Sequence, residues 1–146
     1  MRIPTFEIVP TFGIGQIQFG MSRHEVRSAL GAPEFSHDCQ DGFLSGFHVS
    51  YDPAGLVEFI ELAKSDKFFT SFHDKSLNSL KADQTVAFVS EFDDADISAP
   101  EFGHSFIFPV LEMSLWHAVM PDSPDDPEGQ YFDAIGIGRL GYFSDR

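Results

Sequence analysis

The chain has 146 residues and a formal net charge of -14, from 23 acidic and 9 basic residues. Its length suits one domain, residues 1–146, and a negative field of this size repels nucleic-acid phosphates and anionic lipid headgroups. We therefore expect neither nucleic acid nor a membrane as partner, and a basic protein would be attracted instead.

Cysteine content and hydropathy narrow the class of protein further. The chain has one cysteine, Cys39, which excludes an intramolecular disulfide and a cysteine-rich zinc site. The N-terminal segment lacks the apolar stretch of a secretory signal, and no run approaches the about 18 apolar residues of a membrane span. We expect a cytoplasmic protein that buries most of its 17 phenylalanines.

The first predicted elements are a strand and a helix. Residues 13–20 carry a glycine at each end and alternate apolar residues with glutamines, which predicts one half-buried strand. Ser22 and Glu25 have the spacing of a capping box, and Gly31 supplies a left-handed stop, so we predict a helix at residues 22–30. Its buried face should hold Val26, Ala29 and Leu30. The side chains expected to point towards solvent are Arg23, His24 and Arg27.

The middle of the chain is predicted to hold a hairpin, a strand and a second helix. Residues 43–62 form the hairpin around a proline-glycine turn at residues 52–55, and residues 67–73 form the strand. The helix should span residues 83–92 with Asp83 as N-cap. It should stop there because the acidic run that follows opposes the helix dipole. One side of this helix is predicted to carry Val86, Val89 and Phe92.

The last third of the chain is predicted to contain strands at residues 105–108, 113–119 and 131–137, with a further short one at residues 141–143. Between them, residues 121–129 hold three prolines and four acids and should form a solvated loop. We predict that Trp116 lies in the core, with an interface anchor as the alternative. The fold class is α+β, a mainly antiparallel sheet of about five to seven strands with about two helices packed on one face.

No set of residues has the pattern of a catalytic or metal site. The histidines lack ligand spacing, and Cys39 with His37 lacks an identifiable oxyanion element. The carboxylates Glu58 and Glu61 show nothing that would separate their pKa values, as acid and base catalysis requires. We therefore expect no catalytic residue, no bound metal and no cofactor, and we rank a binding protein above an enzyme.

Two resemblances accompany these predictions. The segment 19–31, with Gly20-Met21-Ser22, Glu25-Val26 and Leu30-Gly31, is similar to an element of the small outer-membrane-assembly lipoproteins of the SmpA/OmlA type and of β-lactamase-inhibitor-like domains. A longer series of short motifs resembles small bacterial immunity proteins of polymorphic or contact-dependent toxin systems. Those motifs are Gly15 to Gly31, Tyr51-Asp52-Pro53-Ala54-Gly55, Phe59-Ile60-Glu61-Leu62, Phe106-Ile107-Phe108-Pro109, Ser114-Leu115-Trp116, Phe132 to Gly138 and Gly141-Tyr142. The family pattern has an arginine after the tryptophan, where this chain has His117.

The second resemblance implies a protein that neutralises a cognate toxin domain, expected to be basic, by tight binding. A small-ligand-binding domain or an enzyme with an aromatic-lined pocket remains the alternative. Two acidic segments in predicted loops hold seven of the 23 acidic residues, and we expect them to form much of the partner contact. The candidate partner-binding residues are Asp93, Asp94, Asp96, Asp122, Asp125, Asp126 and Glu128.

Overall fold

The computed structural model describes residues 3–123 and 126–144. These residues form one compact fold of two helices and twelve strands, so the predicted α+β class is confirmed. The helices are α1 (Arg23–Leu30) and α2 (Ala82–Val89). The strands are β1 (Thr5–Val9), β2 (Gly13–Ile14), β3 (Ile17–Gln18), β4 (Phe35–His37), β5 (Gln40–Gly42), β6 (Phe47–Tyr51), β7 (Val57–Ala63), β8 (Phe69–Phe72), β9 (Lys75–Ser76), β10 (Ser105–Phe108), β11 (Met113–Trp116) and β12 (Ala134–Gly138).

The strands divide between two sheets. The larger sheet has seven strands in the order β10-β11-β12-β7-β6-β5-β4, and every neighbouring pair is antiparallel. The smaller sheet has the order β3-β2-β1-β8-β9, and its β1–β8 pair is parallel. A parallel pair needs a long crossover, and the chain between β1 and β8 supplies it by passing through α1 and half of the larger sheet.

The two faces of the seven-stranded sheet differ sharply, and we call them the inner and the outer face. Along one row of register partners on the inner face, every residue from β10 to β5 is buried, and Ser36 on the edge strand β4 is exposed. The buried members are Phe108, Met113, Ile137, Ile60, Val49 and Asp41. The smaller sheet packs on the inner face through Phe6, whose ring centroid lies 5.1 Å from that of Phe47.

Both helices also lie on the inner side, as the sequence predicted. In α1, Val26 is fully buried and the capping box of Ser22 with Glu25 is present. In α2, Val89 is fully buried, and Val86 lines a cavity together with Phe106 of the inner face. Among the described residues no helix is long and apolar enough to cross a membrane.

Several predicted elements differ in the structure. Helix α2 ends at Val89 rather than at residue 92, and the strands predicted at residues 113–119 and 131–137 are Met113–Trp116 and Ala134–Gly138. Residues 13–20 form the tight hairpin β2–β3 rather than one strand, because Gly15 takes a φ of +59° at the first turn position. Helix α2 begins at Ala82 with Lys81 as N-cap, so Asp83 lies in the first turn instead of capping it. The Gln84 side chain accepts from the Lys81 N–H at 3.0 Å, which favours the earlier start.

The predicted strand at residues 141–143 is a turn. The backbone N–H groups of Gly141 and Phe143 each donate to the carboxylate of Glu112 at 3.0 Å. Glu112 is itself buried, at the turn that joins β10 to β11. These two hydrogen bonds hold the segment across the end of the sheet, where no neighbouring strand is available for a ladder.

Candidate binding face

The outer face of the seven-stranded sheet is open where the inner face is covered. The contacts of both helices and of the smaller sheet run to the inner face, and within the described residues the turn at residues 141–143 is what packs on the outer one. The central row of register partners on the outer face is Ile107, Ser114, Gly136, Glu61, His48, Gly42 and Phe35. In this row His48 and Phe35 are exposed, and Ile107, Ser114 and Glu61 are half-buried. Its two glycines are buried.

The middle of this row holds small residues, and the ring of Phe59 occupies the space above one of them. Ser114 and Gly136 stand next to Glu61, and the ring of Phe59 leans over Gly136. A Cβ atom at Gly136 would collide with that ring and lie 3.0 Å from the Ser114 hydroxyl oxygen. Glycine is therefore required here by the close approach of Phe59 rather than by backbone conformation.

Glu61 lines a cavity on this face. Within residues 3–123 and 126–144, no hydrogen bond or ion pair engages its carboxylate, and His48, its register partner on β6, is the residue whose charge acts on it. Burial raises the pKa of Glu61 above its ordinary value, and His48 lowers it by a smaller amount. A carboxylate that is desolvated and unpaired gains free energy from any cation that reaches it.

A cavity of about 260 Å³ surrounds this carboxylate. Its lining combines polar groups that accept or donate hydrogen bonds with two stacked rings, those of Phe59 and Tyr142, whose centroids are 4.9 Å apart. The lining side chains of this cavity on the outer face are Gln40, His48, Ser50, Phe59, Glu61 and Tyr142.

Trp116 lies on the same face, so its predicted place in the core is wrong. Met113 and Leu115 point inwards, and strand alternation turns Trp116 outwards together with Ser114. Its register partners are the small residues Ser105 and Ala134, and 40% of Trp116 is exposed. The alternation of Met113 and Leu115 was a signal in the sequence that could have placed the tryptophan outside.

A second unpredicted feature lies on the inner face, where Asp41 is fully buried. Its carboxylate accepts five hydrogen bonds, two from Arg23, two from Arg27 and one from the hydroxyl of Tyr51. The prediction that Arg23 and Arg27 point to solvent is therefore wrong, whereas His24 is exposed. Burial would raise the pKa of Asp41, but the hydrogen bonds from these side chains outweigh it and hold the pKa well below its usual range.

Arg23 also holds the β4–β5 hairpin together. Its guanidinium donates to the backbone carbonyls of Asp38 and Gln40 at 2.8 Å and 3.1 Å, and it lies 4.9 Å from the ring centroid of Tyr51. Because helix α1 carries this arginine, the cluster ties the helix to the edge of the sheet. We regard this cluster as structural, since its charged groups are already paired with one another.

The structure places the two predicted acidic segments at opposite ends of α2. The first follows the C-terminus of the helix, and the backbone N–H of Asp96 donates to the carbonyl of Ile107. The second lies by the N-terminus of the helix, where Asp122 lines a cavity with Lys81. No hydrogen bond or ion pair of the described residues joins the two segments.

Three of the seven predicted carboxylates have local structural roles. Asp93 accepts from the backbone N–H groups of Val110 and Leu111, and so holds the β10–β11 turn. Asp96 accepts from the backbone N–H and the hydroxyl of Ser98. Asp126 accepts from the backbone N–H groups of Asp122 and Glu128. The pKa values of Asp96 and Asp126 are lowered by these hydrogen bonds.

The other predicted carboxylates divide into two groups. Asp94, Asp122 and Glu128 are exposed, and none of their side chains has a hydrogen bond or ion pair within the described residues. Asp125 lies outside the described residues. A contact of the acidic segments with a partner stays a prediction, and the exposed three are the carboxylates available for it.

Comparison with known proteins finds no family model, no curated protein and no solved structure that matches this chain. In the described part of the chain, no group of three or more histidine, cysteine, aspartate or glutamate residues has the geometry of a metal site. The chemistry of the outer face, with one tryptophan, one desolvated carboxylate and small polar neighbours, is suited to contact with another molecule.

Proposed function

We propose that the protein is a non-catalytic binding protein that holds a basic protein domain on its outer face. In this proposal it acts as an immunity protein and neutralises a cognate bacterial toxin by tight binding. The observation that carries the proposal is the open outer face, where exposed Trp116 and unpaired Glu61 lie on one uncovered sheet surface.

The composition of this face supports a protein partner. Tryptophan is enriched among the residues that contribute most to protein–protein affinity, and truncating such a residue commonly costs about 2 kcal/mol or more of binding free energy. The neighbours Ser105 and Ala134 are small, so a partner could reach the Trp116 ring from the side as well as from above.

The charge of the chain supports a basic partner. The net charge of -14 attracts a cationic domain during diffusion and raises the association rate at low salt. The exposed carboxylates Asp94, Asp122 and Glu128 contribute to this field from the ends of α2. The assignment of the partner as a toxin rests on the resemblance of the short motifs in the sequence, several of which fall in β10, β11 and β12 of the seven-stranded sheet.

Growth rescue is the experiment that tests this proposal. The chain is co-expressed with the C-terminal domain of the protein that the neighbouring gene encodes, and rescue of growth is expected. Trp116→Ala should abolish or weaken rescue while leaving the protein folded. Phe12→Ala is the matched control, since Phe12 is 53% exposed near the smaller sheet. Failure of rescue by the unaltered chain, or equal rescue by both variants, would contradict the proposal.

A second candidate function is supported by an apolar cavity of about 360 Å³ between α2 and β10. Val86, Phe106 and Met120 line it, and buried His117 forms part of its wall. Both ring nitrogens of His117 lie by backbone carbonyls, Nδ1 at 2.8 Å from Gly129 and Nε2 at 2.6 Å from Gly103. The cavity suits a small apolar ligand, and a thermal-shift screen of apolar compounds against the protein and its Val86→Trp variant, which fills the cavity, tests it.

A further inference from the structure

We propose that the cavity around Glu61 is a socket for an arginine side chain of the protein partner. This inference rests on the proposed function and adds the chemical identity of one contact. It depends on three observations on the outer face: a carboxylate without a hydrogen bond or ion pair within the described residues, aromatic rings beside it, and a cavity that these groups line.

The carboxylate supplies the charge. Glu61 has lost part of its hydration through its place in the sheet, and His48 offsets this only in part. On the inner face, Arg23 and Arg27 form ion pairs with the buried carboxylate of Asp41. At Glu61 no lysine or arginine of the described residues forms an ion pair, which leaves the carboxylate available to a cation of a partner.

The groups that line the cavity favour arginine over lysine. A guanidinium is planar, it donates two parallel hydrogen bonds to one carboxylate, and it stacks on aromatic rings. The ring of Phe59 lies on the same strand as Glu61, two residues before it, and the imidazole of His48 lies on the neighbouring strand β6 as the register partner of Glu61. Both side chains line the cavity together with the carboxylate. Ser50 and Gln40 lie at the rim of the cavity and can accept hydrogen bonds from the remaining N–H groups.

The volume also agrees with a single side chain. The cavity measures about 260 Å³, less than the about 300–1,000 Å³ of typical small-molecule sites. A polar cavity of this size, open at the surface of a sheet, would take the end of one long side chain. Glu61 lies in the row of register partners next to the row that holds Trp116. The socket is therefore part of the same proposed contact surface.

The socket is tested with three soluble probes and NMR of the isotope-labelled protein. N-acetyl-argininamide carries the guanidinium, N-acetyl-citrullinamide has nearly the same shape without the charge, and N-acetyl-lysinamide carries the charge without the plane. The arginine probe should shift the backbone amides of His48, Phe59 and Gly136 in a saturable way. It should bind at least about tenfold more tightly than the citrulline probe, as a charge-assisted hydrogen bond implies.

Two variants complete the test. Glu61→Gln should reduce binding of the arginine probe by about tenfold or more, whereas Glu91→Gln, the same change at an exposed residue after α2, should leave it unchanged. The socket is refuted if the arginine probe causes no saturable shift, if the citrulline or lysine probe binds equally well, or if Glu61→Gln binds like the parent.

These outcomes are separable from the fate of the proposed function. If the probe fails to bind but Trp116→Ala still impairs growth rescue, the socket is wrong and the binding face stands. If the probe binds as expected but the unaltered chain gives no rescue, the socket stands and the assignment of the partner as a toxin falls.

Discussion

Asp41 and Glu61 are carboxylates on opposite faces of the same sheet. Their different surroundings distinguish a charged group that stabilises the fold from one that is available to a partner. Asp41 accepts five hydrogen bonds from three side chains, and its pKa is lowered. Glu61 accepts none within the described residues, and burial raises its pKa. A sheet that is packed on one side can satisfy its inner charges internally, whereas an unsatisfied charge on the open side has a partner only when another molecule arrives.

The largest effect is expected for Asp41→Asn. The change leaves two guanidinium groups facing each other without a counter-charge, and the free energy of unfolding should fall by about 3 kcal/mol. Arg23 and Arg27 keep 28% and 40% side-chain exposure and can regain some hydration, which limits the loss. Urea unfolding measures it. Asp38→Asn, in the same hairpin, is the control, and equal midpoints for the two variants would show that the cluster contributes nothing.

Helix α1 provides the next effect. Val26→Ala removes two fully buried methyl groups and should lower the free energy of unfolding by about 1–3 kcal/mol. Ser22→Ala removes the N-cap hydrogen bond to Glu25 and should cost about 1 kcal/mol. Val110→Ala and Ser28→Ala, at exposed positions, are the matched controls in urea unfolding. Val26→Ala unfolding at the midpoint of the parent would mean that the helix does not pack on the sheet.

On acidification, Glu61 and Asp41 should have opposite effects on the free energy of unfolding. The pKa of Glu61 is raised, so as pH falls towards its ordinary value of 4.5 the folded state gains a proton first and is stabilised. The pKa of Asp41 is lowered, so below its ordinary value of 3.8 the unfolded state gains the proton and stability is lost. Unfolding measured against pH should show Asp41→Asn lacking the acid loss and Glu61→Gln lacking the earlier gain. Curves parallel to that of the parent would contradict both assignments.

The smallest effect on stability is expected for Glu61→Gln at neutral pH. The substitution removes a desolvated charge that pairs with nothing in the described chain, so the free energy of unfolding should stay within about 1 kcal/mol of the parent value or rise. Thermal unfolding of the two proteins checks this. A loss of the size expected for Asp41→Asn would indicate that Glu61 supports the fold and is not reserved for a partner.

Local signals in the sequence were sufficient for some elements. The capping box and Gly31 define α1, and the turn at residues 52–55 defines the β6–β7 hairpin, because each depends on neighbours within a few residues. The Asp41 cluster could not be predicted in this way. It joins Arg23 to a residue 18 positions further along the chain, and the partner depends on how the helix lies across the sheet.

The outer face also combines features that local sequence patterns predict with features that depend on the tertiary fold. Strand alternation in β7 and β11 could have placed Glu61 and Trp116 on the polar side, since both alternate with buried residues. The two residues lie near each other on one surface because β12 alone separates β11 from β7 in the sheet. The sequence does not reveal this strand order. The acidic segments were predicted to contact a partner because they are rich in carboxylates. Some of these carboxylates instead accept hydrogen bonds from nearby backbone N–H groups.

The central claim, that the outer face is the contact surface, is tested most directly at Trp116. It is the one tryptophan of the chain, so protein labelled with fluorotryptophan gives a single assigned fluorine resonance. Addition of the unlabelled partner domain should shift this resonance and reduce its sensitivity to exchange of H2O for D2O, because the ring becomes buried. A partner that binds at saturation while the resonance keeps its position and its solvent sensitivity would contradict the account.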